Sequence, residues 1–154
     1  MDELSAIQLK PIGYVRNEIR EKMRHGWDRV ESTITINPDL APLLDGLEGF
    51  SHIIVLFWMH RVEGSVPVKV HPQGREDMPL TGLFATRAPI RPNSIGLTVV
   101  RLLNRKENML RVIGLDAIDG TPVLDIKPYL PGDSIPEARY PEWVARLSTE
   151  KSGH

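Results

Sequence analysis

The placement of proline most constrains this chain. Its 154 residues hold 13 prolines, five between Pro67 and Pro92 and five between Pro122 and Pro141, against an average near ~5%. Inside a helix, proline removes a backbone hydrogen bond and clashes with the preceding turn. Runs this dense exclude a bundle of long helices and suit strand ends and turns.

The apolar pattern agrees. Val30, Ser32, Ile34 and Ile36 alternate with Glu31, Thr33 and Thr35, the period-2 signature of a half-buried strand. Ile53–Met59 is a continuous apolar run, read as a central strand covered on both faces. Leu9–Val15, Leu80–Ala85, Ile95–Leu103, Met109–Leu115 and Val123–Ile126 complete the strands. The polar stretch Asn104–Asn108 reads as the loop of a hairpin. Asn37-Pro38 and Gly46 bracket one short helix, Pro38–Leu44. A second begins at Tyr140 or Pro141 and runs to Leu147, with Trp143, Val144 and Leu147 on one face and a frayed Thr149–His154 beyond. These elements predict a mainly β fold, a small antiparallel β-barrel of about seven strands with one or two short helices. The length suits a single domain over residues 1–154 with its core from about 7 to 148.

Composition narrows the function. Lys and Arg total 19 against 20 Asp and Glu, a net charge of −1. That balance argues against coating nucleic acid through bulk charge and leaves room for a local basic patch. With no cysteine, thiol nucleophiles, disulfides and Cys-ligated metals are excluded. The five histidines show no HExxH spacing, so no metal is expected. There is no Walker or Rossmann glycine motif. The acidic N-terminus leads into no apolar signal region, and the seven-residue run Ile53–Met59 falls far short of the ~20 residues that span a bilayer. No membrane association is expected, and the predicted compartment is cytoplasmic.

Two segments carry chemistry. In Phe84–Gly96, Arg87 and Arg91 each stand close to a proline, with Thr86 just before them and Asn93 and Ser94 just after. Arginine forks on stiff backbone suit a carboxylate or phosphate, and a solvated surface loop is the plain alternative. In Asp119–Tyr129, Asp125 and Lys127 alternate onto one face of a strand otherwise apolar. They form either an ion pair at a barrel rim or a pair that orients or deprotonates a substrate nitrogen beside Tyr129. His60 caps the long apolar strand. Ser51 and His52, as strand neighbours, are expected to point to opposite faces and form no dyad. Trp27, Trp58 and Trp143 read as core, Trp27 also as a candidate for an exposed face.

Pro11-Ile-Gly-Tyr-Val-Arg16, Leu47–His52 leading into Phe57-Trp-Met-His60, FATRAPIRPNSIGL (Phe84–Leu97) and DGTPVLDIKPYLP (Asp119–Pro131) together resemble the TsaA/TrmO-like family. The resemblance implies an S-adenosylmethionine-dependent methyltransferase of threonylcarbamoyladenosine in tRNA, built as a small β-barrel that binds its cofactor at a homodimer interface. It implies cofactor contacts from His60, Arg61, Arg87, Leu97, Asp116, Ile118 and Asp119, and substrate contacts from Arg91, Asn93 and Tyr129. Asp125 and Lys127 are then the candidate catalytic groups. Two other readings stay open: a non-catalytic barrel that binds an adenosine ligand or RNA, and a methyltransferase of small molecules.

Overall fold

In a computed structural model, which describes residues 5–151, the chain falls into two compact units. One comprises residues up to 60 and 96–129; the other comprises 61–95 and 130 onward.

The first unit is a closed barrel. Its strands are β1 (Gly13–Arg16), β2 (Glu31–Ile36), β3 (His52–Trp58), β6 (Ile95–Lys106), β7 (Met109–Ile113) and β8 (Pro122–Pro128). They close in the order β1-β2-β7-β6-β3-β8, and the paired registers are antiparallel. Period-2 alternation does the sorting. Ile34 and Ile36 of β2, Val55 of β3, Val100 of β6, Val112 of β7 and Val123 of β8 all enter one core. Two prolines delimit β8, where the missing N–H does least harm to the ladder.

The second unit holds β4 (Lys69–Val70) paired with β5 (Thr81–Gly82), several 3-10 turns and the helix α1 (Glu142–Lys151). In α1, Trp143, Val144 and Leu147 are half-buried while Glu142, Ala145 and Arg146 are exposed, as the helical spacing predicts.

The barrel confirms the predicted fold class, and several boundaries change. The Leu80–Ala85 strand shrinks to Thr81–Gly82, followed by a 3-10 turn at Leu83–Ala85. Leu9–Val15 pairs only from Gly13. Pro38–Leu44 is 3-10 rather than α-helix, with Pro42 inside it and the Asn37 side chain accepting from Asp39 N–H. The expected loop Asn104–Asn108 tightens to two residues, because β6 runs on to Lys106 and Glu107 turns at φ +56°. Helix α1 continues through Thr149 to Lys151 where fraying was expected, and 152–154 lie outside the described residues. The run Ile53–Met59 is covered on one face only. Ile53, Val55 and Phe57 are buried, but Trp58, expected in the core, is 49% exposed.

One glycine is fixed by packing. A Cβ on Gly96 would lie 2.4 Å from two ring carbons of Phe57, itself buried in the core. Gly96→Ala is therefore expected to cost about 1–3 kcal/mol through overpacking. Gly82→Ala, with open space around its Cβ, should change stability by under about 0.5 kcal/mol. Urea denaturation of the pair checks this; equal midpoints would refute it.

Candidate active site

The seam where β1 meets β8 is built from a polar cluster. Asn17, just past β1, donates from Nδ2 to Ser32 Oγ (3.0 Å) and to the Ala117 carbonyl (2.8 Å). Its Oδ1 accepts from Ile19 N–H (2.9 Å), and its own N–H donates to Asp119 Oδ1 (3.1 Å). The other Asp119 oxygen faces Arg20 at 3.5 Å. Asp119 N–H donates to the Ile19 carbonyl (2.7 Å) and Gly120 N–H to that of Val15 (2.8 Å). Gly120 turns the chain at φ +82°. Asp119, a predicted cofactor contact, is thus also a structural clamp, and Ile118 beside it is half-buried. Asn17 was not anticipated. Its signal lay in Ser32, a hydroxyl in a row of buried apolar residues, which needs a partner.

Thr98, the neighbour of Leu97 on β6, donates its hydroxyl to Asp116 Oδ1. Leu97 and Asp116 are both exposed. Thr98, also not anticipated, shares strand parity with buried Val100 and Leu102. A hydroxyl at that parity was again the available clue. His60 lies two residues beyond β3, half-buried, with its ring edge-on to Trp58 at 6.1 Å.

Asp125 and Lys127 occur on the outer face of β8, opposite Leu56 and Ile54 of β3. Their charges are 2.9 Å apart, with side chains 48% and 59% exposed. The hydrogen bond that Lys127 donates to Asp125 holds the lysine above its ordinary range, so Lys127 is a firm cation at neutral pH. Tyr129, at the end of the strand, stands edge-on to His52 at 6.4 Å. Ser51 Oγ and His52 Nδ1 lie 2.7 Å apart. The expectation that they diverge fails because Ser51 precedes the strand, where alternation does not apply.

In the second unit, the Phe84–Asn93 loop is held by its own side chains. Arg91 Nη1 donates to the carbonyls of Thr86 (2.8 Å) and Ala88 (3.1 Å), and its guanidinium stands 5.6 Å from the centre of the Phe84 ring. Thr86 Oγ1 donates to the Leu83 carbonyl (2.8 Å). Arg91 therefore braces the loop from within, while Arg87, Asn93 and Arg61 are exposed. Arg87 joins no ion pair among the described residues. Elsewhere in this unit His71 Nδ1 donates to the Met78 carbonyl (2.8 Å). Hydrogen bonds from Arg75 hold the Asp77 carboxyl below its usual range. Their contribution to stability is present above the ordinary aspartate range and is lost on strong acidification.

An open apolar hollow of about 420 Å³ lies at one end of the barrel, against Leu40, Leu44, Phe50 and Ile126. Of the predicted site residues only Asp125 borders it. Among the described residues no group of three His, Asp or Glu is placed to hold a metal ion, and no helix is long and apolar enough to cross a membrane.

The fold is a closed antiparallel β-barrel. A family profile described as the tRNA-methyltransferase O N-terminal domain matches residues 22–133. The chain is 42% identical over 127 residues to an S-adenosyl-L-methionine-binding protein of Archaeoglobus fulgidus, covering 80% of this chain and 89% of that one. It is 37% identical over 150 residues to the tRNA (adenine(37)-N6)-methyltransferase of Escherichia coli, covering 88% and 63%. A crystal structure of TrmO from P. aeruginosa superposes with a TM-score of 0.74 at 36% identity, covering 92% of this chain and 63% of that one. The chain belongs to the tRNA-methyltransferase O family, and it spans a little under two thirds of the length of these last two relatives.

The seam cluster gives a test. Asn17→Ala removes three side-chain hydrogen bonds and strands a buried hydroxyl at Ser32. At ~1 kcal/mol per bond the expected loss is about 2–3 kcal/mol, read by urea denaturation. A loss below about 0.5 kcal/mol would show that the seam closes without it.

Proposed function

We propose that this protein is an S-adenosylmethionine-dependent methyltransferase that acts on tRNA, at the exocyclic nitrogen of threonylcarbamoyladenosine. The observation that carries the reading is Arg87, an exposed cation without an ion-pair partner among the described residues, on a loop that Arg91 holds in shape. That arrangement fits an anionic group such as an amino-acid carboxylate, because a guanidinium on stiff backbone loses little freedom on binding. In the barrel unit, Asp116 offers a carboxylate suited to ribose hydroxyls or to a sulfonium, and exposed Leu97 offers apolar surface suited to a purine. Each of these groups is of a kind that the chemistry of the cofactor calls for. His60, Arg61, Ile118 and Asp119 are the further proposed contacts.

When bound, S-adenosylmethionine supplies an electrophilic methyl group. The acceptor nitrogen is a weak nucleophile that must be aligned and must lose its proton. Asp125 is the proposed proton acceptor. Lys127, held cationic, orients and offsets charge and is unsuited to act as a base. Arg91, Asn93 and Tyr129 remain the proposed positioning residues on the substrate side.

The Asp125–Lys127 pair is exposed, and beside it Ile54, Leu56 and Trp58 of β3 and Leu97 and Val99 of β6 form an apolar strip on the outer barrel face. A second copy of the chain covering this strip would desolvate the pair and strengthen its electrostatics. A two-fold homodimer is the assembly proposed.

Isothermal titration with S-adenosylmethionine and mass spectrometry of methylated tRNA test the activity. Arg87→Ala should weaken cofactor binding at least about tenfold, the loss of one charge-assisted hydrogen bond. Asp125→Asn should lower turnover about 100-fold or more while sparing cofactor affinity and the thermal midpoint. Absence of cofactor binding by the unmodified protein would sink the reading.

Assembly is tested by light scattering. The unmodified protein should have twice the chain mass at micromolar concentration, and Val99→Glu should halve it. A monomer with and without cofactor would refute the dimer.

A further inference from the structure

The barrel face formed by β1, β2, β7 and the far half of β6 has a different character from the apolar strip. Strand register sets its side chains in cross-strand rows. Tyr14, Thr35, Met109 and Lys106 form one row; Arg16, Thr33, Arg111 and Asn104 form the next; Glu31, Ile113 and Arg101 form the third. All lie on the parity opposite the core. In these rows four cations stand against one carboxylate, within a chain whose net charge is −1. Glu31 is bound to Arg111. Arg16, Arg101 and Lys106 join no ion pair among the described residues and are exposed, and Tyr14 is 51% exposed.

An unpaired cation is ordinary on a surface. Concentration on one face, in register with an exposed aromatic ring and with the hydroxyls of Thr33 and Thr35, is a pattern that fits a polyanion bearing bases. Neighbouring strands lie about 4.8 Å apart, so Arg16 on β1 and Lys106 on β6, three strand spacings apart, are separated by roughly 14 Å across the face. Cations so spaced can meet separate phosphates of one folded RNA, and phosphate contacts of this kind position a nucleic acid without reading its sequence.

We infer that this face docks the ribose–phosphate backbone of the substrate RNA, with Arg16, Arg101 and Lys106 on phosphates and Tyr14 stacked against a base. The inference rests on the tRNA reading above and locates its binding surface. None of these four residues belongs to the proposed methyl-transfer machinery.

The test compares the unmodified protein with Arg16→Ala/Lys106→Ala and with Tyr14→Ala, measuring tRNA affinity across a salt series, KM for tRNA, S-adenosylmethionine affinity and thermal midpoint. The double variant should weaken tRNA binding about tenfold and flatten the slope of log affinity against log salt by about two, one per lost phosphate contact. Tyr14→Ala should weaken binding roughly fivefold or more with the slope unchanged. Cofactor affinity and thermal midpoint should hold in both. If the unmodified protein methylates tRNA but the variants keep its KM and salt slope, the face is not the docking surface and the activity stands. If the unmodified protein binds the cofactor but no tRNA, the inference and its substrate reading fail together. Competition by polyglutamate as strong as by RNA would assign the face to an acidic protein partner and overturn the proposal.

Discussion

Closure at one short seam governs this barrel. Strand β1 has four residues, and only Gly13 and Tyr14 register with β8. So brief a ladder holds because Asn17 and Asp119 tie the chain at one end of it, the Ile12 N–H donates to the Val123 carbonyl at the other, and Gly13 lets the backbones approach. A Cβ there would sit 2.3 Å from the Thr35 carbonyl oxygen. Without the seam, β1 and β8 would both become sheet edges with unpaired backbone groups. The segment Asp116–Asp119 and the strand carrying Asp125 and Lys127 are therefore placed by the same closure that encloses the core.

Closure also divides the outside of the barrel. A closed sheet buries one parity of each strand and leaves the other to function. On β3 and the first half of β6 the outer parity is apolar, and it borders the Asp125–Lys127 pair. On β1, β2, β7 and the far half of β6 it is cationic and carries Tyr14. Strand β6 serves both, and its pairing with β7 shifts register between Leu102 and Asn104. A bulge of this kind bends and re-aims a strand, which lets one twelve-residue element contribute to two surfaces of opposite chemistry.

The second unit contributes by local means. Its loop from Phe84 to Asn93 is shaped by hydrogen bonds spanning five residues or fewer, so Arg91 is spent on holding the loop and Arg87 is left to solvent. Two arginines alike in sequence thereby acquire different work. The same economy appears at Arg75 and Asp77, and at His71 with Met78.

Much of this was legible in the sequence for a definite physical reason. Proline density, the alternation of Val30–Ile36 and the turn at Asp119-Gly120 are local, and local chemistry alone dictates a β fold with breaks at those points. Asp125 and Lys127 fall on one strand face by periodicity alone, and strand periodicity is independent of what lies opposite. Contacts distant in sequence were not legible. Asn17 meets Ala117 and Asp119 across about a hundred residues, and Thr98 meets Asp116 across 18; no pattern within either segment names its partner. The Ile53–Met59 run is equally apolar on both parities, so its sequence could not say that one face stays open and leaves Trp58 in solvent. Composition likewise averaged the charges to near zero, while register alone gathered Arg16, Arg101, Lys106 and Arg111 onto one face. The sequence determined the elements and their polarity. Only the closed tertiary structure decided which residues became neighbours, because barrel closure, unlike propensity, is a property of all six strands at once.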